Sequence, residues 1–269
     1  MDVAAYLERI RYRDLPALDA ETLRQLHEAH LLAVPFENLS IHWGEPIELA
    51  DEALFDKVVV RRRGGFCYEL NGLFAALLRS LGFEVVMLSA GVMRASGDFS
   101  PDFDHMALLV NHQERWLVDV GFGDLFRQPL RLDERGPQIQ DGSTYRIDPD
   151  EEGRMTLLRS DGDGPWNGQY RFSLEPHVYA DFAERCIYQE TSPESHFKQR
   201  RICSLATPDG RVSLSEMKLI TTRNGERLER ELTDEAEYAE LLKELFGIVI
   251  PSNQSSNRAS NTPPKAGAT

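Results

Sequence analysis

The chain has 269 residues, 41% of them hydrophobic, with 44 acidic against 30 basic side chains and a formal charge of −14. That length supports a core divided over two or three domains, and the acidic balance argues against general binding to nucleic acid, whose affinity comes from neutralising phosphates. No run of about 18 apolar residues would span a bilayer, the N-terminal MDVAAYLERIRYRD lacks the apolar stretch of a signal peptide, and the scattered Cys67, Cys186 and Cys203 fit a reducing compartment, so a cytoplasmic protein without membrane contact is expected.

In residues 19–34, DAETLRQLHEAHLLAV, Asp19 serves as N-cap, Leu23, Leu26, His30 and Ala33 recur at helical spacing, and Pro35 ends the helix. Together with AYLERI before it and a helix after Cys67, residues 1–82 are predicted to form a helical bundle. His27 and His30 lie three apart, but no further ligands cluster nearby, so a half-buried helix face and no metal are predicted. From Cys67 onward Leu70, Phe74, Leu77, Leu78 and Leu81 keep a helical period, and Gly82 suits the stop. Cys67 shares the stripe of Leu70, Phe74 and Leu78 and therefore faces an interior or an interface. Gly64 and Gly65 supply a turn into this helix that side chains would obstruct.

After Gly82 the period becomes two. FEVVMLSAGVM, HMALLV, RWLVDVGF, TYRI, RMTLLRS and QYRFSL are separated by turn signals, predicting an antiparallel barrel or sandwich over residues 83–190 that ends in a helix at VYADFAERCIYQE. DHMALLVNHQERWLVDVGFG, residues 104–123, reads as one hairpin. A loop of Asn111, His112 and Gln113 would pair residue 110 with 114 and 105 with 119, placing His105 beside Asp119 and leaving His112 solvated. Strands at RRICSLA, RVSLSEMKLITT and ERLEREL and a helix at DEAEYAELLKELF fill residues 191–250, and the polar, proline-bearing segment 251–269 is predicted to be a disordered tail.

A cysteine in the first turn of a helix meets the positive end of the dipole and unpaired backbone N–H groups, which favour thiolate. Its free pKa of about 8.5 still calls for a base or an imidazolium partner. His105 would supply one, with Asp119 fixing its tautomer and leaving the other ring nitrogen for the thiol. Taken singly, each residue has a plainer explanation: a core cysteine, a surface histidine, and an aspartate that a one-residue register slip would put on the opposite face. Gly121 and Gly123 would let backbone N–H groups approach an acyl or phosphate oxygen, and Phe122 and Phe126 would line an apolar pocket.

VPFENL at 34–39, RRGGFCYELNGLF at 62–74, DHMALLV at 104–110 and WLVDVGFG at 116–123, in this order and spacing, resemble the arylamine N-acetyltransferases. SHFKQRRICS, NGERLEREL and LFGI extend the resemblance to bacterial members over about residues 1 to 250. The resemblance implies an α+β fold: a helical bundle carrying the nucleophile, a central antiparallel β-barrel carrying the other two residues of a papain-like Cys-His-Asp triad, and a C-terminal α/β lid. It implies Cys67 as nucleophile, His105 as base and then acid, and Asp119 as the residue orienting the imidazole. The implied reaction is ping-pong transfer of acetyl from acetyl-CoA, as co-substrate and without a metal, to an arylamine or arylhydrazine. Phe36, Phe122 and Phe126 match positions near the family's acceptor pocket, Gly121 and Gly123 are expected near the pantetheine or pyrophosphate, and Glu37 and Arg63 are expected to pair behind the cysteine helix. Arg61, Arg62, Arg63, Arg127, Arg131, Arg200 and Arg201 are the candidates for an anionic ligand, while Asp124 and Leu125 depart from members with a basic or small residue there. Two alternatives remain open: a thiol hydrolase or amide synthase using the same triad, and a non-catalytic binding protein. Oligomeric state is not readable from the sequence.

Overall fold

A computed structural model describes residues 1–251. Of the tail expected at 251–269, everything from residue 252 onward lies outside the described residues. Helix α1 (Val3–Arg9) is capped by Asp2, and α2 (Ala20–Ala33) by Asp19, whose Oδ1 accepts the Thr22 N–H at 2.8 Å as expected. Then follow β1 (Phe36–Glu37), α3 (Leu39–Trp43), α4 (Asp51–Phe55), a π-helical turn at Asp56–Val60, and α5 (Cys67–Ser80). Every residue of α5 from Cys67 to Leu78 is buried, so this helix is covered on all sides rather than along one stripe.

Strands β2 (Glu84–Val92), β3 (His105–His112), β4 (Glu114–Val118), β5 (Leu130–Arg131), β6 (Gln138–Gln140), β7 (Ser143–Pro149), β8 (Met155–Asp161) and β9 (Asn167–Phe172) form one antiparallel sheet in the order β5-β4-β3-β2-β9-β8-β7-β6. Its outer strands are joined by side chains instead of a backbone ladder. The Gln138 amide accepts the Arg131 N–H at 2.8 Å and donates to the Arg131 carbonyl at 3.0 Å, and Gln140 bridges Gln128 in the same way at 2.9 and 2.8 Å. The result is a nearly closed eight-stranded barrel. Leu88, Ala107, Leu109, Leu117, Ile147 and Tyr170 fill its interior, while Met87, Met106, Leu108 and Val110 point the other way, into the core shared with α5. Burial on both faces explains why MALLV, residues 106–110, is an unbroken apolar run.

The β3–β4 hairpin departs from expectation. Its turn is the single residue Gln113 at φ 56°, and the pairs are 112 with 114, 110 with 116 and 108 with 118. The register is thus shifted by two, and position 119 lies past the end of β4. Because side chains repeat with period two, the shift keeps His105 and Asp119 on the same face. His112 is half-buried with its ring against Phe83 at 5.7 Å, not solvated in a loop.

Helices α6 (Tyr179–Thr191) and α7 (His196–Gln199) lead into a second antiparallel sheet, ordered β1-β10-β11-β12-β13, with β10 at Ile202–Thr207, β11 at Gly210–Ser215, β12 at Lys218–Arg223 and β13 at Glu226–Glu231. The run RVSLSEMKLITT, expected as one strand, folds back at Glu216 (φ 49°) and Met217 into β11 and β12. Helix α8 (Glu235–Phe246) packs Tyr238, Leu242 and Phe246 with Cys203 and Leu214 of this sheet. Strand β1 belongs to it as well: Phe36 pairs with Ser204 and Glu37 with Cys203, which fixes where the Phe36 ring goes. Among the described residues, no helix is long and apolar enough to cross a membrane.

Candidate active site

Cys67 is the first residue of α5, delivered by the Gly64–Gly65 turn. A Cβ on Gly64 would lie 1.9 Å from the Pro35 carbonyl oxygen, and one on Gly65 2.7 Å from Glu69 Oε2, so only glycine fits either position. The helix start is held from below by two buried ion pairs. Glu69 accepts the Phe66 N–H at 3.1 Å and Lys57 Nζ at 2.6 Å. Arg63 meets Glu37 Oε1 at 2.8 Å and stacks over Trp43 at 4.2 Å, so the expected Glu37–Arg63 pair exists and is buried, not superficial. Burial works to raise the Glu37 carboxyl, but Lys57, Arg63 and the Leu39 N–H outweigh it and hold the group below its ordinary pKa.

His105 opens β3, and its Nε2 donates to Asp119 Oδ2 at 2.8 Å, with both side chains buried. Asp119 Oδ1 accepts from Asn71 Nδ2 at 2.8 Å and from the Gly121 N–H at 2.9 Å. Burial pushes Asp119 upward, but the charge and hydrogen bond of His105, with the Asn71 and Gly121 bonds, hold it below the usual carboxylate range. In line with the expectation that the helix start alone does not ionise Cys67, the pKa of its thiol is raised, not lowered. Burial pushes it well above its ordinary value, against a hydrogen bond to the Met106 backbone that favours the anion. Burial in low dielectric disfavours the charged form, and the neighbouring Asp104 and Asp119 act in the same direction.

Cys67 and His105 open onto one cavity of about 570 Å³, walled also by Phe36, Gly121, Phe122 and Phe197, with Asp104 and Arg185 among its polar lining. Phe122 stands edge-on to His105 at 5.3 Å. Gly121 passes so close to α5 that a Cβ there would lie 2.8 Å from Cys67 Cα. Gly123, at φ 99°, turns the chain under Phe36 and lies outside the cavity wall. Phe126 corrects the expectation of a pocket residue. It is fully buried in the barrel interior, stacked on His27 at 5.7 Å and edge-on to Tyr145, because the chain re-enters the barrel at that point.

A family model described as N-acetyltransferase matches residues 19–255. The chain is 36% identical to human arylamine N-acetyltransferase 1 over 276 residues, covering 93% of this chain and 95% of that protein. The chain belongs to the arylamine N-acetyltransferase family. It is also 36% identical to the arylamine N-acetyltransferase of Mycolicibacterium smegmatis over 255 residues, 92% of each chain. The solved structure of Mycobacterium marinum arylamine N-acetyltransferase in complex with CoA matches with a TM-score of 0.85 at 33% identity, covering 92% of this chain and 93% of that one. As a member of this family, the protein is an acetyltransferase.

Several residues of this acetyltransferase's site escape sequence reasoning. Asn71 sits four residues after Cys67, donates also to the Met106 carbonyl at 2.6 Å, and accepts the Val120 N–H at 2.8 Å, locking α5 to β3 and to the segment that follows β4. Its signal is a polar side chain within an apolar helical stripe. His27 carries the same signal in α2 but is fully buried, not half-buried, and it touches the backbone of Asp119. Of the arginines expected to meet an anion, Arg61, Arg63, Arg127, Arg131 and Arg201 are held in ion pairs, and none of the seven lines the cavity. Arg94 and Arg185 line it instead, paired with Asp98 and Asp104. Asp124 pairs with Arg211 at 3.2 Å. Among the described residues no group of three or more His, Cys, Asp or Glu side chains is arranged to hold a metal ion.

Proposed function

We propose that the protein moves an acetyl group from acetyl-CoA to the amino group of an arylamine or arylhydrazine through an acetyl-Cys67 intermediate, with Cys67, His105 and Asp119 acting as a papain-like triad. The observation that carries this reading is the shared cavity of Cys67 and His105, with Asp119 bonded to the far side of the imidazole at 2.8 Å. An ionised Asp119 holds the proton on Nε2 of His105, which leaves Nδ1 as the ring's proton acceptor. Since burial disfavours a lone thiolate, the charge on sulfur is created together with an imidazolium that Asp119 stabilises.

In the first half-reaction His105 takes the Cys67 proton, the sulfur attacks the thioester carbonyl carbon, and the CoA sulfur leaves with the proton that His105 returns. One thioester replaces another of similar energy, so little driving force is needed. In the second, the amine attacks the acetyl-cysteine, His105 removes its N–H proton, and that proton goes back to the departing cysteine sulfur. The positive end of α5 faces the charge that develops on the carbonyl oxygen. Phe36, Phe122 and Phe197 offer apolar faces to an aromatic acceptor, Gly121 leaves room for the thioester arm, and Arg94 and Arg185 are the cations nearest to an anionic donor. The sequence-based division into a bundle at 1–82, a barrel at 83–190 and a lid at 191–250 goes with this reading, because each part contributes one wall.

Intact-mass analysis after mixing with acetyl-CoA alone is the test. An acetyl adduct should appear on the native chain, vanish on adding an arylamine faster than it hydrolyses, and be absent from Cys67→Ser. An acetylated Cys67→Ser protein with native turnover would refute the assignment.

A further inference from the structure

We propose that His27 is a positioning residue for the reaction: its imidazole fastens both ends of the loop at residues 119–127, which carries Asp119 and the cavity-wall Phe122, and so sets the direction from which Asp119 meets His105. His27 lies in the middle of α2, 92 positions from Asp119 in the chain, and is fully buried. Its Nδ1 is 2.6 Å from the Arg127 carbonyl oxygen. A carbonyl only accepts, so Nδ1 carries the proton, and Nε2 is left as the acceptor that receives the Asp119 backbone N–H at 3.2 Å. The partners thus dictate one neutral tautomer, and burial, which lowers the His27 pKa to about 4, keeps the ring neutral at physiological pH.

The ring is fixed in orientation too. It stacks on Phe126 at 5.7 Å and 19°, and Phe74 of α5 meets it edge-on at 6.1 Å. Between the two fastened ends, Asn71 binds the Asp119 carboxylate and the Val120 N–H. The Arg127 side chain is tied to the carbonyls of Thr207 and Gly210 at 2.6 and 3.1 Å. Asn71 therefore governs the carboxylate of Asp119, and His27 governs its main chain. A side chain of similar bulk without the nitrogens would strand the buried Asp119 N–H and the half-buried Arg127 carbonyl, and the loop would shift to find partners for them. A displacement of about 1 Å at a reacting group costs on the order of 100-fold in rate.

The inference rests on the proposed triad, so the experiment includes Asp119→Asn. Four variants, His27→Leu, His27→Gln, His27→Asn and Asp119→Asn, are compared with the native chain by the single-turnover rate of Cys67 acetylation, by kcat and KM for acetyl-CoA, and by thermal unfolding. His27→Leu should lose about 10- to 100-fold in acetylation rate and kcat with KM nearly unchanged. His27→Gln, whose Oε1 can still accept the Asp119 N–H, should recover most of that loss, and His27→Asn, which reaches only toward Arg127, should recover less. If His27→Leu fails to fold, the ranking of Gln above Asn decides the matter. Native rates in His27→Leu, or equal rates in the Gln and Asn variants, would overturn the role of His27 while Asp119→Asn stays inactive. A native rate in Asp119→Asn would remove the triad itself and the inference with it.

Discussion

The thiol of Cys67 is raised by burial while Asp119 is held low in equally buried surroundings, and the difference lies in partners. Asp119 receives two N–H donors on one oxygen and an imidazole on the other, whereas the buried sulfur has one backbone hydrogen bond and two neighbouring carboxylates, Asp104 and Asp119, that oppose its ionisation. In the proposed triad the charge on sulfur depends on His105 and, through it, on Asp119. Asp119→Asn keeps the shape but puts an amide where the imidazolium needs an anion, and kcat should fall by about 10³- to 10⁴-fold with the fold retained by circular dichroism. Phe126 leads to the opposite kind of prediction. Since it packs inside the barrel, Phe126→Ala should cost about 3–5 kcal/mol in urea unfolding. It should leave the ranking of aromatic acceptors in kcat/KM unchanged, where a pocket residue would alter it.

At the scale of the element, the first turn of α5 is closed by a carboxylate of its own, and that carboxylate is held by a cation from outside the helix. Glu69 closes the first turn onto Phe66 and is neutralised by Lys57, a residue of the π-helical turn at 56–60. Glu69→Ala would leave a buried ammonium without its counter-charge, so unfolding free energy should drop by about 3–5 kcal/mol, read as a lower urea midpoint. Gly121 presents the reverse case, where the element is sensitive to added atoms. A methyl there would press on Cys67 Cα, which is backbone and cannot rotate away. Gly121→Ala should lose about 10- to 100-fold in the rate of Cys67 acetylation, with a smaller effect on unfolding.

Over the whole molecule, two buried histidines couple stability to pH. Burial lowers His27 to about 4 and His30 well below its ordinary value, while unfolded histidines titrate near 6.5. Below that pH the unfolded chain takes up protons that the folded one excludes. Stability is therefore full above about pH 6.5 and is lost as pH falls toward 4, with His27 alone contributing about 3 kcal/mol across that window. Urea unfolding at pH 7.5 and pH 5 should show the drop, and a His27→Gln, His30→Gln double variant should flatten it. Equal stabilities of the native chain at both pH values would contradict this linkage.

The positions of α2, α5, α6 and α8, the strand-rich middle and the candidate residues Cys67, His105 and Asp119 were legible in the sequence, because caps, glycine turns and periods of 3.6 and 2 are local properties of the chain. Even the error in the β3–β4 register did no harm to the site, since a shift of two preserves the face. What the tertiary structure alone decided is how remote groups share partners. His27 beneath Asp119, Lys57 against Glu69, Asn71 bridging α5 to the hairpin, Phe126 turned inward and Phe36 carried by a strand of the C-terminal sheet are all long-range pairings. Burial and hydrogen bonding are set by what the fold brings against a residue, so neighbours in sequence carry little of that information.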